Sequence, residues 1–238
     1  DKVYLETYRD GTWVAIDHMK MIQNFFKEHG VEIAGGITAV TPPLEKDDAK
    51  RQRLFQTFCY SNETMRTYLK KIVTYTAELF DEIILDDFFF TSCTCDDCLR
   101  ERSNLSWAEF RSNKMIDVAE NLVLKPAKLA NPSVKVTIKY PNWRESYHET
   151  GYVPKIQPSM FDKIYTGTET RNTAHTDQHL PRYLSYYALH GARSTGQKWR
   201  RLVRYILLLA NRLLSRARLF DCTLTSTRNH TIPVGRSV

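Results

Sequence analysis

Short apolar runs rich in β-branched residues alternate with amphipathic segments through most of this chain, and that alternation limits the possible folds more than any other feature. "KVYLETYR" (2–9), "VEIAGGITAV" (31–40), "EIILDDFF" (82–89), "VKVTIKY" (134–140) and "FDKIYTGT" (161–168) read as strands. Between them, residues 13–29 put Val14, Met19, Ile22, Phe25 and Phe26 on one helical face, and Gly30 ends that helix. Residues 63–80 turn Tyr68, Leu69, Ile72, Val73, Tyr75 and Leu79 inward. Residues 107–129 form a third helix, opened by Ser106 with Glu109 three positions on. Strands this apolar, separated by helices, are parallel and covered by those helices. An open doubly wound sheet and a (β/α)8 barrel both fit. The glycine-rich phosphate fingerprint is missing, because "AGG" at 34–36 has no further glycine at the required spacing. That favours the TIM-type barrel. A whole barrel has eight strands in about 250 residues, so the five to six recognisable here predict an incomplete α/β barrel over residues 1–190.

Charge divides the chain at the same place. The net charge is +7, yet residues 191–238 alone carry ten Lys or Arg against one acid, Asp221. That leaves the body at −2, which argues against a general nucleic-acid partner. The longest apolar run near the end, "YILLLA", is far too short to cross a bilayer. The first residue is Asp1 and no signal peptide precedes it, so the start is expected to be processed or truncated, and neither compartment nor oligomeric state can be read.

Chemistry in such folds gathers where the strands end. Glu6 and Arg9 close the first strand, and Asp86 and Asp87 the third. Lys139, Tyr140, Asn142 and Trp143 close the fourth, and Thr168, Glu169 and Arg171 the fifth. A single aspartate at a strand end is as readily a helix cap or an ion-pair partner. Carboxylates, cations, an amide and an indole at four strand ends together suggest a sugar site, since glycosidic bonds are cleaved by two carboxylates. Alternation sends Asp86 and Asp87 to opposite sides of their strand, and the mouth is assigned to Asp87. His175 and His179 follow Glu169 at a spacing that could hold a metal on a helix, but without a third ligand they read as loop or substrate contacts.

Cys93, Cys95 and Cys98 crowd three thiols into six residues, and Cys59 lies in the loop before the preceding helix. Four such sulfurs suit tetrahedral Zn²⁺ of the closed, structural kind. Ordinary reduced cysteines, or one disulfide with a spare thiol, are the alternatives.

The stretch from the Cys59 loop through "CTCDDCLRERSNLSWAEFR" resembles the zinc cluster of family-42 β-galactosidases, which are TIM-barrel glycoside hydrolases. One departure matters. That family has an Asn-Glu pair at the end of its fourth barrel strand, where this chain has "LDDFFF", so the acid/base Glu does not carry over. An Asp followed by an acid two strands later resembles instead the α-galactosidase type of barrel. That resemblance implies Asp87 as nucleophile and Glu169 as acid/base. It also makes "KVYLETYR" barrel strand two, with strand one upstream of Asp1.

After about residue 190 the alternation stops. "GQKWRRLVRYILLLANRLLSRARLF" could be a cationic amphipathic helix or a nucleic-acid arm. A third reading is a shifted frame. Codons CAA AAA TGG CGG CGG CTG GTT CGA TAC for Gln197–Tyr205, read one base later, give Lys-Asn-Gly-Gly-Gly-Trp-Phe-Asp-Thr. On that reading 191–238 is a non-native replacement for the last barrel strands, which would leave strand edges open.

The expected function is glycoside hydrolysis of an oligosaccharide or glycan by Asp87 and Glu169. Glu6, Arg9, Asp86, Lys139, Asn142, Trp143 and Arg171 are expected to bind the sugar, and Cys59, Cys93, Cys95 and Cys98 to hold structural zinc. The alternatives are a degenerate, non-catalytic sugar-binding barrel and a membrane- or nucleic-acid-associated protein acting through its tail.

Overall fold

A computed structural model of the chain describes residues 1–41, 54–86, 88–141, 146–167, 200–202 and 207–209. The strands are β1 (Lys2–Arg9), β2 (Thr12–Trp13), β3 (Glu32–Ile37), β4 (Glu82–Leu85), β5 (Lys135–Tyr140), β6 (Lys163–Gly167), β7 (Arg200–Leu202) and β8 (Leu207–Leu209). The longer helices are α1 (Ile16–Glu28), α2 (Glu63–Leu79), α3 (Asp96–Arg102) and α4 (Trp107–Val118). Shorter ones are α5 (Lys125–Ala130), α6 (Tyr147–Thr150) and α7 (Gln157–Met160).

All five strands read from the sequence are present. They pair in parallel in the order β1-β3-β4-β5-β6. The sheet is bent into a trough. Four inter-strand steps separate β1 from β6, about 19 Å if the sheet were flat. Yet the hydroxyls of Tyr4 on β1 and Tyr165 on β6 are 3.2 Å apart. The outer edges differ from expectation. β7 pairs with β6 and β8 pairs with β1, both in parallel, so segments from the basic tail lie along both edges. Among the described residues β7 and β8 do not pair with each other, and the ring does not close.

Alternation divides the strands between two environments. Val3, Leu5, Ile83, Leu85, Val136, Ile138 and Ile164 face outward into the main core. There they meet Leu69, Ile72 and Val73 of α2 and Val118, Leu122 and Val123 of the third helix. Each such side chain removed from water contributes about 1.5–3 kcal/mol, which outweighs anything the exposed helix faces can add. Close approach needs Gly35 on β3, where a Cβ would come within 2.6 Å of Thr76 Cγ2 and 2.8 Å of Phe80 Cδ2. Tyr4, Ala34, Ile84 and Tyr165 form a separate small cluster on the inner face.

Local signals explain most of the element ends. Ser106 and Glu109 form a reciprocal capping box at the start of α4, and Asn62 caps α2 by accepting from Met65 N at 3.1 Å. The helix expected over 107–129 is interrupted by a π-helical turn at Ala119–Leu124. Pro126 lies just beyond it and has no N–H to give back to the preceding turn, so a widened turn absorbs the misfit. Asp10 (φ 50°) and Gly11 (φ 81°) join β1 to β2 as a two-residue hairpin loop, the geometry that an Asp-Gly pair favours.

Candidate active site and thiol cluster

The inner face carries polar side chains in layers. At the amino ends of the strands Lys2 and Lys163 donate to Glu82 at 2.9 and 2.5 Å. Tyr4 also donates to Glu82, at 3.1 Å. Burial works against the Glu82 charge, but the two ammonium groups prevail and hold its carboxyl below the usual carboxylate range.

At the carboxyl ends a second charged layer forms. Glu6 accepts from Arg9 Nε at 2.9 and 3.0 Å, from Arg9 Nη2 at 2.5 Å and from Thr38 Oγ1 at 2.5 Å. Lys139 Nζ donates to Asp86 Oδ1 at 2.8 Å, and Arg9 Nη2 lies 4.0 Å from Asp86 Oδ2. Glu6, Asp86 and Lys139 are all buried. Burial is the leading influence on Glu6 and pushes its carboxyl upward against the pull of Arg9 and Thr38. The layer holds two acids and two bases, so it balances its own charge. Backbone pairing explains how Asp86 comes to lie here. Its N–H donates to Ile37 O at 3.0 Å, which continues the β4 ladder by one residue and keeps Asp86 on the side of Ile84 and Glu82.

Glu6, Arg9, Asp86 and Lys139 are thus brought together as the sequence suggested. Asp87, Asn142, Trp143, Glu169 and Arg171 lie outside the described residues, as do Thr168, His175, His179 and Cys222. Tyr140 is not at the mouth. It points outward, buried against Tyr147 and Tyr152, and its hydroxyl donates to Gln157 at 3.2 Å. The Glu82 layer was missed, although Lys2, Glu82 and Lys163 sit in strands at positions that share one face.

The thiol cluster forms beside the carboxyl ends. Cys59 precedes α2, Cys95 stands immediately before α3, and Cys98 lies in the first turn of α3. Cys59 Sγ is 3.6 Å from both Cys95 Sγ and Cys98 Sγ, and the latter two are 3.8 Å apart. All four sulfurs, Cys93 included, lie within 4.8 Å of one another, and none is in a disulfide. Zn–S bonds of about 2.3 Å in a tetrahedron put sulfurs about 3.8 Å apart, so the cluster fits zinc. Hydrogen bonds from Cys59 and Cys98 hold the Cys93 thiol down at about 2. Its thiolate pushes Cys59 up. At Cys98 the Cys59 hydrogen bond works downward, but the Cys93 thiolate and burial carry the thiol up to about 12. The Cys93 thiolate is thus favoured at the expense of Cys59 and Cys98, and a bound cation would favour the thiolate form throughout the cluster.

An unclosed, bent parallel sheet with helices outside and charged groups at its carboxyl ends defines a TIM-barrel-like protein. Residues 1–193 match the family described as "Probable glycosyl hydrolase, catalytic domain", and the chain belongs to that family. An uncharacterized protein of Saccharolobus solfataricus is 33% identical over 208 residues, which is 78% of this chain but 34% of that relative. Two solved structures share the fold. The cold-adapted β-galactosidase of Rahnella sp. R3 superposes with a TM-score of 0.51 at 12% identity, over 69% of this chain and 33% of that one. The β-galactosidase of the psychrophilic Marinomonas ef1 gives 0.50 at 12% identity, over 77% and 40%. The barrel-type glycoside-hydrolase fold that the sequence resembled is therefore the fold found. Among the described residues no helix is long and apolar enough to cross a membrane.

Proposed function

We propose that this chain hydrolyses a glycosidic bond in an oligosaccharide by means of two carboxylates, Asp87 as nucleophile and Glu169 as acid/base. The observation that carries this reading is the charge-balanced layer of buried Glu6, Asp86 and Lys139 with half-buried Arg9, in a member of a glycosyl hydrolase family. Asp86 is already committed to Lys139 and neighbours Arg9. It forms part of the floor of the mouth. The ladder of β4 ends with Asp86, so strict alternation does not extend to the next position, and on this reading Asp87 rather than Asp86 meets the substrate. Arg9, Glu6 and Lys139 would orient hydroxyl groups over that floor, with Asn142, Trp143 and Arg171 completing the sugar contacts. Glu169 would protonate the leaving oxygen while Asp87 attacks the anomeric carbon, and water would then release the sugar. A carboxyl separation of about 5–5.5 Å belongs to this retaining course, and about 6.5–9.5 Å to inversion.

We also propose Zn²⁺ as the occupant of the thiol cluster. Cys59, Cys93, Cys95 and Cys98 would hold it, and a site of four thiolates has no open position for substrate. Zinc there would brace the loop after β4 against the start of α2 and take no part in the chemistry.

Incubation with a panel of p-nitrophenyl glycosides and natural oligosaccharides, followed by assay for reducing sugar, tests the function. Release from at least one of them is expected. Sugar binding with no hydrolysis across the panel would identify a non-catalytic barrel instead.

A further inference from the structure

We propose that a cleft on the rim of the sheet binds further sugar units of the oligosaccharide whose scissile bond sits in the mouth. This inference rests on the glycoside-hydrolase reading above. The cleft has a volume of about 590 Å³ and is lined by Phe55, Phe90, Trp107, Arg111, His148 and Glu149 among others. That volume lies in the range of small-molecule sites. It lies on the side of the sheet where β4 ends, because the Phe55 ring packs against Phe88 at 5.4 Å, two residues along the chain from Asp86.

Phe55 is presented in an unusual way. Its side chain is 63% exposed, and its backbone is held at φ 54°, ψ 21°. An aromatic residue seldom adopts this left-handed conformation, and such positions cluster at ligand sites. Leu54 N fixes the turn by donating to Ser92 Oγ at 2.8 Å. Solvent exposure alone gives no reason to hold a large apolar ring in this way, whereas a platform for the apolar face of a pyranose does.

The remaining walls mix aromatic and polar side chains. Two guanidinium groups, those of Arg102 and Arg111, each lie 4.8 Å from the Trp107 ring centre. Arg111 ties the two lips together, donating to Glu149 O at 2.6 Å and to Ser92 O at 3.2 Å. His148 and Glu149 expose polar side chains to solvent. A lining that combines an aromatic platform with a histidine, one carboxylate (Glu149) and one guanidinium (Arg111) suits a neutral polyhydroxyl chain better than a polyanion or a lipid.

Calorimetric titration of the full chain with pentaoses of β-1,4-linked galactose, xylose and glucose, and with maltopentaose, tests the proposal. At least one pentaose should bind. Phe55→Ala should weaken it at least fivefold, His148→Ala at least twofold, and Phe55→Trp should hold it within twofold. Turnover of aryl monoglycosides should stay within twofold in all three variants. Should Phe55→Ala fold poorly, His148→Ala and Phe55→Trp still give the reading. No pentaose binding, or equal binding by wild type and the two alanine variants, overturns the proposal, as would a cleft already filled by another part of the chain. Pentaose binding that depends on Phe55, without any aryl glycoside turnover, would remove the catalytic reading and leave the cleft intact.

Discussion

Lys139 and Asp86 form a direct ion pair of 2.8 Å at the ends of two adjacent parallel strands, with side chains only 3% and 4% exposed. Removing one partner of a buried pair costs about 3–5 kcal/mol, because the other charge is stranded. Asp86→Asn and Lys139→Met should each lower stability by about that amount in urea unfolding, with the loss softened in Lys139→Met, where Arg9 still lies 4.0 Å from the stranded Asp86. The double variant should recover a large part of it. Single variants as stable as wild type would show that the pair does not organise the mouth.

Glu82 gives a prediction of opposite location and defined sign. Its folded carboxyl lies below its ordinary value of 4.5 because Lys163 and Lys2 outweigh burial. The stability it contributes is therefore complete above about pH 4.5 and is lost as the pH falls through the lower folded value. Urea midpoints of wild type and Glu82→Gln should differ at pH 6 and converge toward pH 2.5. A gap that does not change with pH would contradict the assignment.

The thiol cluster should carry one zinc per chain by elemental analysis. Structural zinc contributes folding free energy directly, so Cys98→Ser or a strong chelator should lower the unfolding midpoint by roughly 10 °C or more. Metal content near zero with an unchanged midpoint would leave four plain thiols.

The strands were legible because each is an apolar run bounded by polar turns, and Ser106 with Glu109 marked the start of α4 without any tertiary information. Elements of four residues or fewer, such as α6 and α7, are too short to show a period. The Asp10-Gly11 pair is a local hairpin signal that the sequence carries in plain form. β7 and β8 lie in a segment where basic residues obscure alternation, so their pairing with β6 and β1 had no local signal. The four sulfurs could be read from spacing alone. The direction of Asp86 could not, because alternation says only that Asp86 and Asp87 differ. It took the Asp86 N–H to Ile37 bond to fix the side that Asp86 faces.

The tail yields a prediction about the gene. We propose that residues 191–238 are read in a shifted frame, given ten basic residues against one acid. The coding DNA for Gln197–Tyr205 should then yield, one base later, a segment rich in glycine followed by Trp, Phe and Asp. Codons incompatible with that product would make the tail a native part of the protein.

We propose that Asp87 and Glu169 perform the chemistry above the charged floor. Steady-state turnover of an aryl glycoside substrate, measured for Asp87→Asn and Glu169→Gln alongside thermal unfolding, tests it most directly. The account predicts at least a thousandfold loss of turnover in Asp87→Asn with an unfolding midpoint close to wild type, and a similar fold in Glu169→Gln with a large loss. Wild-type rates in both variants would contradict it.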